Sequence, residues 1–177
     1  MTIEEIYENL TQRMLTGVMF HSDMIDYYRF LGLDGYAKFH EHRMIEESVA
    51  YRETKRKYLQ SKNKLVHKVW TADLNVIPDG WYQHTRQDVD TATIKNGIKD
   101  GLEKWIVHET ETLRIYSDLS RELRELGEVE LAICVEKSVK EVSEELAKAR
   151  KYHLNKEHIG YDLPTIVSEQ KYLCEKY

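Results

Sequence analysis

Long stretches of this chain run without a helix breaker, and four of them repeat apolar residues at the period of an α-helix. Only 2 prolines and 8 glycines fall among its 177 residues. The first helix is expected from Thr2 to about Leu31, with Ile3, Tyr7, Leu10, Met14, Val18, Ile25 and Tyr28 on one face. The second is expected from about Tyr36 to Asn63, and its basic far end suits a helix C-terminus. The third opens at Asp90 or Thr91, either of which makes a good N-cap. Its stripe is Ile98, Leu102, Trp105, Tyr116, Leu119 and Leu123, and Gly127 stops it. The fourth carries Val135, Val139, Val142, Leu146 and Ala149 and is expected to end near His153. A loop follows, and Pro164 then opens a short last helix to Tyr177.

The connections run short, long, short. Gly32-Leu33-Asp34-Gly35 is a tight link, which makes antiparallel neighbours of the helices it joins. Residues 64–91 lose the helical period and hold a Pro-Asp-Gly turn signal. A loop of that length needs a reason, and a crossover returning the chain to the top of the bundle supplies one. Trp70, Val76, Ile77 and Trp81 are expected to tuck it against the helices. The fold class is therefore all-α: a four-helix bundle with a long crossover between the second and third helices, plus a short C-terminal helix. Residues 1–155 form the bundle, and 156–177 form a loop and helix packed on it.

Charge and composition narrow the function classes. A net charge of −5 argues against bulk binding to nucleic acid or to an anionic membrane. No apolar run approaches the ~18 residues that span a bilayer, and the acidic start MTIEEIYENL lacks the apolar core of a signal peptide. Cys134 and Cys174 are isolated, which excludes a CxxC zinc site and fits a reducing cytoplasm. No phosphate-cradling glycine loop, nucleophile elbow or organic-cofactor motif is present.

The residue that does not fit a greasy stripe is Glu47. At about 100° per residue, Tyr36, His40, Met44, Tyr51, Thr54 and Tyr58 lie within roughly 60° of it. A buried carboxylate is costly unless it is neutralised, paired or bound to a cation. Helix heights supply candidate partners. His21 is centred on the first stripe and Glu109 on the third. Counted from the Gly32–Gly35 end at ~1.5 Å per residue, they agree with Glu47 within about two turns. The fourth helix brings only flanking acids to that level, Glu141, Glu144 and Glu145, of which Glu145 stands closest to the core. The candidate metal ligands are thus His21, Glu47, Glu109 and Glu145. Tyr51 and Tyr116 are candidate neighbours of the ligands or plain core aromatics. His40 and His42 project to different sides of one helix and are not expected to chelate together. His67 and His84 in the crossover could bind metal but read as surface histidines, and His153 and His158 have no cysteine partner nearby in sequence.

The segment Tyr36-Ala37-Lys38-Phe39 leading to Glu46-Glu47 resembles the second helix of the ferritin-like superfamily of ferritins, bacterioferritins and rubrerythrins. That resemblance implies a di-iron centre in the bundle core, with Glu47 opening a Glu-x-x-His motif. Ala50 stands where the histidine belongs, and Glu141-x-x-Glu144 echoes the second motif without a histidine. The resemblance further implies iron, manganese or zinc as cofactor, iron and oxygen chemistry, and a homo-oligomer. Two readings follow: a protein binding a metal ion through histidine and glutamate, or a non-catalytic structural or interaction protein whose buried histidines and acids bond to one another, for example His21 with Glu47. Whether the chain is an enzyme stays open between them.

Overall fold

A computed structural model describes residues 1–66, 77, 78, 81 and 83–177. The helices are α1 (Ile3–Phe30), α2 (Asp34–Lys62), α3 (Thr91–Glu125), α4 (Val129–Ile159) and α5 (Leu163–Lys176), with a short 3-10 turn at Arg86–Asp88. No strand occurs among the described residues. Local chemistry sets most of the ends. Thr2 and Glu5 close a capping box on α1. Asp90 caps α3 through Thr93, and Asp162 caps α5 through Thr165 with Pro164 in its first turn. The α4 helix runs on to Ile159 rather than ending near His153. Nothing in NKEHI breaks a helix, and the left-handed stop comes at Gly160, at φ +71°.

Two antiparallel pairs, α1 with α2 and α3 with α4, make the bundle, while α1 touches α3 and α5 lies on α2. At one end Gly97, near the start of α3, abuts Tyr27 of α1 and Leu31 just beyond it. At the other, Lys62 at the end of α2 reaches Glu128 in the α3–α4 turn at 2.8 Å. The end of α2 and the start of α3 therefore lie at opposite ends of the bundle, as a long crossover requires. Ile77 and Trp81 pack against the core, and the Trp81 ring lies 5.3 Å from Tyr27 and 5.8 Å from Phe30. Trp70, Val76 and His67 lie outside the described residues. No described helix is long and apolar enough to cross a membrane.

The interior is split along its length. One apolar cluster gathers Phe20 to Leu33, Tyr36 to Phe39, Ile98 to Trp105, Ala149 and the inner face of α5. The second gathers Ile6 to Met14, Tyr58, Tyr116 to Leu123 and Leu131 to Val142. Between them, every helix of the bundle contributes polar residues: His21, His40, His108, Glu109, Thr112 and Glu145 are all buried.

The α5 helix closes the upper cluster. Ile166 and Leu173 are buried in it. Glu169 accepts from both the Tyr36 hydroxyl and the buried Lys156 ammonium, and the Gln170 side chain accepts from the Gly35 backbone N–H. The close approach at Gly35 requires glycine, because a Cβ there would lie 2.4 Å from the Gln170 carbonyl oxygen. Gly35→Ala is expected to push α5 off α2 and to cost about 1–3 kcal/mol. Chemical denaturation of the variant measures the loss, and an unchanged midpoint would refute this packing.

Candidate metal centre

The polar layer begins with three imidazoles. His21 of α1 and His40 of α2 are fully buried, and their Nδ1 atoms lie 2.9 Å apart, so one ring donates and the other accepts. His108 of α3 stacks flat on Phe20, at 4.1 Å and 4°. Burial is the main force keeping all three neutral. It holds His21 and His108 well below the usual imidazole range and His40 at about 3, with Arg43 adding to the effect on each and Arg13 on His108. A neutral imidazole is the form that ligates a metal.

His21, His108 and Glu109 each present one ligand atom within 4.8 Å of the others. His21 Nε2 is buried without any hydrogen-bond partner, an orphan of the kind that a cation would satisfy. Glu109 accepts from the Trp105 indole N–H at 2.9 Å, which fixes its carboxylate. Burial raises the Glu109 pKa against the pull of Arg43 and of that indole bond. Arg13 approaches from α1. Its guanidinium donates to the His108 carbonyl at 2.8 Å and to Thr112 Oγ1 at 2.6 Å, and it lies 3.1 Å from His108 Nδ1. Arginine is a donor only, so His108 Nδ1 accepts and the ring proton sits on Nε2.

Glu47 and Glu145 stand apart from this trio. Both line a cavity of about 490 Å³ between α2 and α4, together with Glu46, Glu53, Glu141, Glu144, Arg43 and Tyr116. Burial pushes the Glu47 pKa up to about 7, against Arg43, whose Nη2 is 3.9 Å from Glu47 Oε1. Glu145 Oε1 takes a 2.6 Å bond from Lys148, while its Oε2 is buried and unpartnered. Of the four acids and histidines singled out in the sequence, the fold thus brings His21 and Glu109 together and sets Glu47 and Glu145 around the neighbouring cavity. His21 pairs with His40 rather than with Glu47. His42 and His84 are exposed, and His153 Nδ1 meets the Tyr161 hydroxyl at 2.9 Å.

Four residues of the layer had not been singled out as part of it: His40, His108, Arg13 and Arg43. His40 lies in the same helical sector as Glu47, and His108 follows Trp105 by three residues on the α3 stripe, so periodicity places both inward. The arginines gave no such signal, because an arginine beside an apolar stripe normally carries its charge out to water.

A carboxylate-rich two-metal centre does not fit this layer. The α1 residue facing Glu47 is Gly17, where a Cβ would lie 3.2 Å from the Glu47 carboxyl carbon. The α1 helix therefore offers no ligand there, and Ala50 offers none from α2. Arg43 further places a fixed positive charge against Glu145, Glu109, Glu47 and Glu46. Burial opposes that charge, yet these carboxylates outweigh it and raise the Arg43 pKa. A single ion between two imidazoles and a carboxylate does fit, since that donor set suits zinc, iron or manganese.

The whole-chain architecture has known counterparts. An open-pore ferritin from the hyperthermophilic archaeon Archaeoglobus fulgidus superposes with a TM-score of 0.76, over 96% of this chain and 92% of that one, at 15% identity. This is a ferritin-like fold. An engineered closed form of the A. fulgidus ferritin gives 0.75 over 98% and 96% of the two chains at 15% identity. A humanized archaeal ferritin gives 0.72 over 98% and 97% at 16%. No family model matches the sequence, and no curated protein matches it. Identities this low carry the fold and leave the site to be argued from its own residues.

Neutral burial of the histidines makes the fold acid-sensitive at this layer. His40 stays unprotonated down to about pH 3 in the bundle but takes up a proton near pH 6.5 once unfolded. The stability it contributes is complete above about pH 6.5 and is lost as pH falls toward 3. Buried Glu47 works in the opposite sense, because its raised pKa favours folding as pH falls from about 7. Comparison with His40→Phe isolates the histidine term. The wild type is expected to lose about 1.4 kcal/mol relative to the variant for each pH unit below about 6. Urea titrations between pH 4.5 and 7 measure this, and a pH-independent difference would show that His40 is not held neutral.

Proposed function

We propose that this ferritin-like protein binds one divalent transition-metal ion in its bundle core, held by His21, His108 and Glu109. The observation that carries the reading is that His21, His108 and Glu109, all buried, each offer a ligand atom within 4.8 Å of the others; beside it stands the unpartnered His21 Nε2. Of the ligands expected from the sequence, His21 and Glu109 belong to this site, while Glu47 and Glu145 act on it as nearby negative charge. Iron is the favoured metal because solved structures that share the fold are ferritins. The same likeness favours a homo-oligomer.

The chain's own residues prepare the site. Trp105 aims the Glu109 carboxylate, His40 orients the His21 ring through Nδ1, and Phe20 holds the His108 ring flat. Ligation by His108 Nε2 requires its proton to move to Nδ1. Arg13 then gives up that acceptor and keeps its bonds to Thr112 Oγ1 and the His108 carbonyl. A bound iron ion would supply redox chemistry at this level.

A second reading has its own support in Arg13, Arg43 and the His21–His40 bond. These groups partner much of the layer without a metal and would fix helix register in a structural or interaction protein.

Metal analysis separates the two readings. After anaerobic reconstitution with Fe(II) and gel filtration, about one equivalent is expected in the wild type, and a small fraction of that in His21→Ala. A chelator is expected to lower the unfolding temperature of the loaded wild type by removing a ligand of the native state. Less than about a tenth of an equivalent of iron, manganese or zinc would leave the structural reading in place.

A further inference from the structure

The α2–α4 cavity raises a question that the histidine site does not answer: what balances its acids. Glu46, Glu47, Glu53, Glu141, Glu144 and Glu145 all line it, and the cationic side chain in its lining is Arg43. The Arg43 side chain is only 12% exposed. Its Nη1 lies 2.6 Å from Glu46 Oε2 and its Nη2 3.9 Å from Glu47 Oε1. The fit is incomplete on both sides. Arg43 Nε is buried without a partner, and so is Glu145 Oε2, on a residue only 8% exposed at the cavity wall. Glu47 leans into the space left open by Gly17, with Arg43 Nη2 3.9 Å from its Oε1.

We propose that this cavity is a divalent-cation site of carboxylate oxygens, built around Glu47 and Glu145, in which the Arg43 guanidinium stands in the cation's place and keeps metal out. Three features point this way together. The unpartnered Glu145 oxygen and the Glu47 carboxylate are hard donors of the kind that Mn²⁺, Mg²⁺ and Ca²⁺ prefer. The cavity is large enough to admit an ion with part of its hydration shell. A guanidinium reached from the same helix satisfies the need for positive charge without an ion, and arginine keeps that charge at any physiological pH. The role of Arg43 is to set specificity: with it in place the cavity takes no metal, and without it a carboxylate site opens. The inference goes beyond metal binding at the histidines and does not depend on it.

The experiment counts Mn²⁺ bound at neutral pH, by equilibrium dialysis and electron paramagnetic resonance, in wild type, Arg43→Met and Arg43→Lys. Arg43→Met keeps the side chain's length and removes its charge. It is expected to bind about one equivalent more than wild type and to unfold at a higher temperature as Mn²⁺ is added. Adding Glu145→Gln should weaken that extra site at least about tenfold. Arg43→Lys keeps the charge and should bind as wild type does. The extra equivalent should persist when His21→Ala is combined with Arg43→Met, so failure at the histidines and failure at the cavity give different results. A folded Arg43→Met that binds no more Mn²⁺ than wild type overturns the proposal. So does an extra equivalent in Arg43→Lys, or an Arg43→Met that stays unfolded at millimolar Mn²⁺.

Discussion

Everything in this bundle depends on keeping a layer of charge inside it electrically balanced. Arg13 and Arg43 enter the same level as Glu47, Glu109 and Glu145, between two apolar clusters. Transfer of any one of these charges from water is unfavourable by itself. Together they are tolerated because each guanidinium lies among carboxylates, hydroxyls or carbonyl oxygens. The three histidines contribute to the same balance by remaining neutral. The helices cannot slide past one another by a turn without separating these partners, so the layer fixes register where apolar packing alone would not.

That balance also explains how a ferritin-like fold can hold these acids without a two-metal centre and remain folded. A metal centre built from carboxylates needs cations to neutralise them. Gly17 and Ala50 remove two ligand positions, and Arg43 brings its own cation. The cluster that could hold a metal, His21, His108 and Glu109, lies beside Trp105 and Phe20 instead. The α5 helix closes the upper apolar cluster. Its Leu173 packs over the aromatic wall that also contains His40, and its Glu169 gathers Tyr36 and Lys156.

The sequence exposed much of this layer but not its wiring. Glu47, His21 and Glu109 stood out because each interrupts an apolar stripe at matching height, and two of the three do converge. Helix counting resolves height to about a turn and direction to tens of degrees. That is too coarse to tell a first neighbour at 3 Å from a residue across the cavity, so Glu47 and Glu145 could not be separated from the ligand trio. His108 lay on the α3 stripe three residues after Trp105, but its neighbour Glu109 drew the attention to itself.

The sequence by itself determined the helices, the order of short and long connections, and the presence of polar residues at one level of the core. Those follow from period, caps and breakers, which are local. Only the tertiary structure decided that two arginines turn inward and that His21 bonds to His40. It likewise decided that Glu109 meets the imidazoles while Glu47 faces Arg43. A side chain as long as arginine is free, in sequence, to reach water or to reach a carboxylate. The choice is made by which acids the other helices bring within its reach, and no single helix contains that information.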